Sequence, residues 1–462
     1  MSTPDALVNL LMTLDAPQGR FAELSRYYEG YQPLSFLSPE SLKCLGNRFA
    51  RMNVNICRLA IQSQIERLRV CGFEGDDRVW DWWVQNELDL ESEMAHREAC
   101  LYGASYALIW TPTGGSPVVT IESARQVAVH ADPHTRQITE AVKRYYTDGQ
   151  THAWWYLPDV IRHYQANTVS AANTALELVA ELPNPLAVVP VVQLRNSSRI
   201  PVSHVAYPDR LLEYGTSDLQ DVLPLVDALS KTLADMMISS EFTARPRRWA
   251  TGVELVETPR VDDNGNPVLD TNGEQIVDTE NPFPEGDKMM ISEEAAAKFG
   301  QLEGSDLSGY ENAVKVIMSA IQAVTCLPAS YLGILSDQPN SADALRAASA
   351  GLTARAESKQ KSFGKGWTRV AQLMVAANDG ADPNSVNVST KWSPADYRSM
   401  AEESDAALKL YSGGILSRET TLARLGFSES EIAVEIERLN ADHTAADNTR
   451  FNRYLEQMQT QG

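Results

Sequence analysis

Three groups of residues in this 462-residue chain have types and spacings that chemistry would use. His130, Asp132 and His134 alternate. On an extended strand they would turn two imidazoles and a carboxylate to one face, a donor set that a zinc-type ion takes. Pro133 followed by Thr135-Arg136 favours a turn between two strands instead, and no fourth ligand is evident. Asp262, Asn264 and Asn266 alternate like the first ligands of a calcium loop. The sixth position of such a loop needs Gly and here holds Pro267, and no helices frame the segment. Gly364-Lys365-Gly366 resembles part of a phosphate-binding loop but lacks the preceding Gly and the Ser or Thr. HExxH and GxSxG do not occur, and the seven His residues are scattered. Carboxylate pairs are plentiful, as in any acidic chain, and none stands out as a glycosidase dyad. The expectation is a protein that is not an enzyme, with no cofactor and no metal.

The bulk numbers agree with a structural role. The length suits two to four domains, or one with large insertions. A hydrophobic content of 43% with 9 Trp and 16 Tyr is enough for packed cores. The net charge is -21. A binder that holds nucleic acid through its phosphates is normally basic, so tight sequence-independent DNA affinity is disfavoured. A surface that lets DNA slide past is not. The five Cys form no CxxC and leave one over, which argues for a reducing compartment. The start, MSTPDALVNLLMTLDAP, has no basic region of the signal-peptide kind, and the apolar run 186–194 is far too short for a membrane span. The expectation is a soluble protein without a membrane partner, made in a cytoplasm.

The elements that would position these residues fall in a clear order. Residues 5–30 read as helical, 49–70 as an amphipathic helix and 79–105 as two more, with Trp80 and Trp83 as a core anchor. From Tyr106 the period changes to two, and YALIWT, PVVTIES, QVAVHAD, QITEAVKRYYTD, THAWWYLPD and VIRHYQA read as an antiparallel meander. The Pro-punctuated stretch 176–200 adds one buried strand at an edge or a crossing between layers. A helix with the stripe Leu219, Val222, Leu223, Val226, Leu229, Leu233, Met236 and Met237 follows, with Asp218 or Asp221 as its cap; a cap at Asp221 puts Pro224 in the first turn. Residues 245–304 are acidic, 13 Asp/Glu against 6 Lys/Arg, and carry hairpin signals at Asn264-Gly265 and Asn272-Gly273. Leu307, Tyr310, Val314, Ile317, Met318, Ile321 and Val324 make the stripe of a second long helix. Two antiparallel helices with the acidic insert at their tip is the simplest topology. After Cys326-Leu327-Pro328 comes the polar loop LSDQPNSAD, then a basic helical run carrying Arg346, Arg355, Lys359, Lys361, Lys365 and Arg369 against Glu357. By default such a run is a solvated helix face. Helices starting near Ser393-Pro394, Ser417 and Ser428 close the chain. The fold class is α+β.

At the long helices the sequence resembles a known family. Tyr214-Gly215-Thr216-Ser217-Asp218-Leu219, with Leu223-Pro224-Leu225-Val226-Asp227-Ala228-Leu229-Ser230-Lys231-Thr232, is similar to the stem-helix approach of tailed-phage portal proteins of the long-tailed siphophage type. Further matches follow in order: Tyr27-Tyr28-Glu29-Gly30, the run from Arg67 to Phe73, Ala104-Ser105-Tyr106-Ala107, Asp132-Pro133 with Thr135-Arg136, and Pro339-Asn340-Ser341-Ala342-Asp343-Ala344-Leu345 before a long helix. The family's loop more often reads Ser-Gly where this chain has Ser341-Ala342.

The resemblance implies a ring, typically of twelve subunits, at one capsid vertex. It implies a wing (1–208 with part of 370–395), stem helices (209–244 outgoing, 306–327 returning), a clip (245–305), a tunnel-loop region (328–344), a long helix leading back to the wing (345–394) and a helical crown (395–462). Asp337, Gln338, Pro339, Asn340, Ser341 and Asp343 would then line the DNA channel. Arg346, Arg355 and Lys359 would touch phosphates or a neighbouring subunit, and Asp262, Asp263, Asn264, Asp270 and Asn272 would present the clip to terminase or adaptor. The implied partners are other copies of the chain, double-stranded DNA, the terminase large subunit, major capsid and scaffolding proteins, and a head-tail adaptor. Another phage minor head or adaptor protein, and an acidic hydrolase built on the Trp/Tyr-rich meander, stay open as alternatives.

Overall fold

The computed structural model describes residues 3–33, 54–112, 115–132, 134–135, 137–196, 215–244, 248–251, 256–261, 267–269, 273, 275–280, 296, 298–301, 307–333, 342–396, 400–427 and 431–441. Helices α1 (Asp5–Asp15) and α2 (Gln18–Glu29) open the chain. Helix α3 (Ile56–Ile65) is capped by Asn55, whose side-chain oxygen accepts the Arg58 N–H at 3.0 Å. Strand β1 (Val70–Glu74) and helices α4 (Arg78–Gln85) and α5 (Leu88–Tyr102) follow.

The period-two region resolves into two sheets rather than one meander. Strands β2 (Ala104–Trp110), β3 (Val118–Ser123) and β9 (Val191–Arg195) form an antiparallel sheet in the order β3-β2-β9. Strands β4 (Val127–Ala131), β5 (Ile138–Thr147), β6 (Gln150–Tyr156), β7 (Val160–Ala166) and β8 (Glu177–Pro183) form the meander proper. The stretch expected to hold one strand thus holds two, β8 and β9, each at the edge of its own sheet. Pro183 ends β8, and Pro185 and Pro190 lie between the two strands, since a residue without an N–H cannot continue a ladder. Strand β6 alternates buried and half-buried residues, as a sheet covered on one face should. That face is covered by α1 through Leu7, Leu10, Leu11 and Leu14, which pack on Val142, Ala153, Trp155 and Tyr164 in a small core of their own. Strand β2 is buried along nearly its whole length, between β3 and β9 and against α5.

Helices α6 (Leu223–Ala244) and α7 (Ser308–Thr325) pack against each other, and the Ser239 and Tyr310 hydroxyls meet at 3.1 Å. Between them lie the short pairs β10 (Arg248–Thr251) with β13 (Lys298–Gln301) and β11 (Val256–Pro259) with β12 (Val277–Glu280). Antiparallel bridges Val261↔Pro267 and Leu269↔Gln275 show that the chain reverses between 261 and 267 and between 269 and 275; Asn264, Gly265 and Asn272 lie outside the described residues.

Helix α8 (Ala342–Asp379) has 38 residues and is about 57 Å long. Between Ala344 and Gly351 every residue but Arg346 and Ser349 is exposed. Beyond them Leu352, Ala356, Lys359, Phe363, Trp367, Val370 and Met374, three and four apart, form its buried stripe. The stripe lies on β2, β9 and β14 (Ser389–Trp392), the last of which pairs with β1. Here sits the main aromatic core: Trp83 meets Trp367 edge-on at 4.9 Å and Phe73 at 5.3 Å. Rings of this size stabilise a core by a few kcal/mol each. Gly364 and Gly366, the residues with a phosphate-loop look, are packing glycines. A Cβ on Gly364 would stand 2.9 Å from the Trp392 indole nitrogen, and one on Gly366 2.4 Å from a Leu194 methyl. Helices α9 (Met400–Ser412), α10 (Arg418–Arg424) and one over 431–441 complete the described chain. Residues 393–396 are not helical, so the helix does not start at the Pro394 signal, and the Ser428 cap lies outside the described residues. Ser417 caps α10 by accepting the Thr420 N–H at 3.2 Å. No helix among the described residues is long and apolar enough to cross a membrane.

Candidate functional site

The residues with a claim to function concentrate where α6 leaves the body and where α7 returns to it. Helix α7 ends at Cys326, which takes the left-handed conformation (φ 57°), and Leu327-Pro328 prevents the helix from continuing. A 3-10 turn, Ala329–Leu332, follows. Asp337, Gln338, Pro339, Asn340 and Ser341 lie outside the described residues, as do Asp262, Asp263, Asn264, Asp270 and Asn272. Asp343 lies in the first turn of α8, and Arg346 on the next turn is half-buried. Arg355 is exposed, and its guanidinium Nη2 donates to the Val324 carbonyl at 2.8 Å. That places a cation on the free carbonyls at the α7 C-terminus, where the helix dipole favours it.

Lys359 corrects the sequence reading. The expectation placed it with Arg355 as a contact to phosphate or to a neighbour. Its side chain is only 7% exposed and points into the body. Its ammonium donates to Asn196 Oδ1 at 2.6 Å and lies 3.0 and 2.8 Å from the two oxygens of Asp218. All three of its donors are therefore used within the chain. Burial works to lower the lysine pKa, but the Asp218 carboxylate outweighs it and the net shift is upward. The signal was present in the sequence: position 359 falls on the apolar stripe of α8, not beside it.

Around this pair the backbone closes tightly. Asn196 donates from its side chain to the Thr216 carbonyl at 2.8 Å and to Asp218 at 3.0 Å. The Asn196 N–H donates to the Gly103 carbonyl, and the Asp218 N–H to the Cys100 carbonyl. Gly103 and Gly215 pass so closely that neither position has room for a Cβ. Nine residues beyond Asp218, Asp227 in α6 is held by Tyr27 of α2, whose hydroxyl lies 2.8 and 2.9 Å from its two oxygens. Burial, then the Asp227 charge, raise the Tyr27 pKa, so the phenol stays a proton donor. Sequence reasoning picked out Tyr27, Gly215, Asp218 and Asp227 only as parts of motifs, and missed Asn196 and Gly103.

The metal-like pattern is also settled by contacts. Asp132 accepts the backbone N–H groups of His134 and Thr135 at 2.8 and 2.7 Å, the geometry of an Asx turn between β4 and β5. His130 is exposed at the end of β4. Among the described residues no three His, Cys, Asp or Glu side chains gather as metal ligands would.

Comparison with known proteins bears on this architecture. The portal proteins of Mycobacterium phages L5 and D29 are each 26% identical to the chain, over 412 and 413 residues; either match spans 82% of this chain and 77% of the relative. Among solved structures, a chain in the virion of native gene transfer agent particle aligns over 88% of this chain and 93% of its own, with 16% identity and a TM-score of 0.45. A chain in the neck of native GTA particle computed with C12 symmetry aligns over 89% and 99%, with 16% identity and a TM-score of 0.43. The family model described as phage portal protein, SPP1 Gp6-like, matches residues 49–449. On that match, which runs over most of its length, the chain belongs to the SPP1 Gp6-like family of phage portal proteins.

Proposed function

We propose that the chain is the subunit of a portal ring, typically of twelve copies, through which double-stranded DNA enters the capsid during packaging and leaves it on ejection. Family membership over residues 49–449 carries this reading. Residues 1–208 with part of 370–395 form the wing, 209–244 and 306–327 the stem, 245–305 the clip, 328–344 the tunnel-loop region, 345–394 the long helix and 395–462 the crown. The half-buried stripe of α7 supports it. Val314, Ile317 and Met318 are only partly covered within one chain, and Val316 is 69% exposed, so neighbouring stems would complete their burial. The net charge of -21 supports a bore that repels phosphates and lets DNA slide. The clip residues Asp262, Asp263, Asn264, Asp270 and Asn272 would face the terminase large subunit during packaging and a head-tail adaptor afterwards. The wing would meet major capsid and scaffolding proteins at the vertex, after assembly in the host cytoplasm.

Negative-stain microscopy of the purified protein tests the ring: particles with a central hole are expected, and a small monomer or a shell-like assembly would sink the reading. Asp337, Gln338, Pro339, Asn340, Ser341 and Asp343 would line the bore, with Arg346 and Arg355 on the helix behind them. Deleting 337–343 is expected to leave rings intact while packaged or retained DNA falls. Unchanged packaging and retention would remove the loop's assigned role.

A further inference from the structure

We propose that the buried contact of Lys359 with Asp218 and Asn196 sets the angle at which α6 leaves the body, and through that angle the number of subunits that close the ring. The inference rests on the portal reading, since it needs a ring.

The contact lies where three segments cross: the end of β9 at Asn196, the approach to α6 over Gly215–Asp218, and the middle of α8. The Lys359 and Asp218 side chains are 7% and 13% exposed. A buried ion pair of this kind adds little stability over apolar residues of similar volume, because both ions must leave water. It does impose direction. Lys359 needs three oxygens between 2.6 and 3.0 Å away. A rotation or slip of the α6 root would leave a charge unpaired in the interior, whereas an apolar pair would tolerate it.

The Tyr27–Asp227 contact pins the same helix at a second point and to a different element, α2. Helix α7 packs on α6, and its last turn is tied back to α8 through Arg355 and Val324. The helix pair is thus oriented from its root. Ring interfaces are head-to-tail, and closure depends on the rotation from one copy to the next. Twelve and thirteen copies differ by about 2° per interface. Over the 22 residues of α6 a tilt of that size moves the far end by roughly 1 Å. Between the two pinned positions, nine residues apart at Asp218 and Asp227, the same tilt amounts to about 0.5 Å, the width of the ordinary hydrogen-bond range, so the two contacts together, not either alone, make that distinction.

The test compares Lys359→Met with Asp218→Leu in one chain, Lys359→Met alone, and Tyr27→Phe, by thermal melting and by native mass spectrometry of assembled rings. The double variant is expected to melt above Lys359→Met alone, because no charge is left unpaired, yet to give rings of more than one subunit count where the parent gives one. Tyr27→Phe buries no charge and is expected to broaden the count more mildly. A double variant with the parent's single count, or one that melts no higher than Lys359→Met, overturns the inference. If the double variant does not fold, a single parental count in Tyr27→Phe rings overturns it. A parent chain that forms no ring removes the portal reading itself, which is a different result.

Discussion

Gly215→Ala is expected to abolish the soluble folded protein. The new Cβ would stand 1.7 Å from the Gly103 carbonyl oxygen, 2.6 Å from its carbonyl carbon and 2.9 Å from the Asn196 oxygen. All three are backbone atoms, so no side chain can swing away. Relief would require separating the end of α5 from the approach to α6, breaking the Asp218 N–H bond to the Cys100 carbonyl and the Thr216 N–H bond to Asn196. Overpacking at a site that can relax costs about 1–3 kcal/mol. Here the loss should exceed that and approach the roughly 5–15 kcal/mol that holds a whole domain. Gly149→Ala is the control. Gly149 has a positive φ, 75°, which Gly215 does not, but an added Cβ there meets nothing within 4 Å, so only the conformational cost of about 1 kcal/mol applies. Soluble yield and melting temperature should separate the two variants sharply. A Gly215→Ala protein that melts within a few degrees of the parent would show that these segments do not approach as described.

That junction also shows what a single sequence could and could not disclose. Periodicity located α6 and α7, because a helix stripe is a local property written at three- and four-residue steps, while the basic run of α8 read as a solvated face and hid its buried stripe. Turn chemistry anticipated chain reversals within 262–266 and 270–274, because Asn-Gly favours the turn whatever surrounds it. The division of the strands into two sheets was not legible. It depends on β9 pairing with β2, from which it is separated by β3 and the five strands of the meander, and no local signal encodes that choice. The Lys359 environment was half legible. Its place on an apolar stripe argued for burial, but the run of Lys and Arg around it argued for solvent. Only the arrival of Asp218 and Asn196, far away in sequence, decides between them. The chemistry-like patterns behaved alike: Asp132 serves a turn and Gly364 and Gly366 serve packing. Residue types common to catalytic sites were here spent on holding the chain together.

The same core makes the protein sensitive to acid through His96. This imidazole is fully buried, and its Nε2 accepts the Trp367 indole N–H at 2.8 Å. It lies parallel to Phe363 at 5.1 Å and beside Trp392 at 5.6 Å. Burial first, and then the Lys359 charge, hold its pKa down at about 3, against an ordinary value of 6.5. Protonation would charge a group surrounded by aromatic rings and remove the acceptor that Trp367 needs. In the unfolded chain the same residue takes its proton near pH 6.5. Between those values the unfolded state binds a proton that the folded state refuses. Stability is therefore full above pH 6.5 and falls as the pH drops towards 3. At pH 4 the His96 contribution should be a loss of about 3 kcal/mol relative to pH 7. His96→Gln offers an acceptor to Trp367 without titrating. His163, lowered by burial and by His152, adds to the acid loss in both proteins, as do Asp76 and Asp379, held low by Arg78. The difference between parent and variant isolates His96. Denaturant unfolding followed by tryptophan fluorescence at pH 7, 5.5 and 4 should give His96→Gln the lower stability at pH 7 and a visibly flatter decline towards pH 4. Parallel curves would mean that His96 is already charged in the folded state, or that acid opens this core before the imidazole titrates.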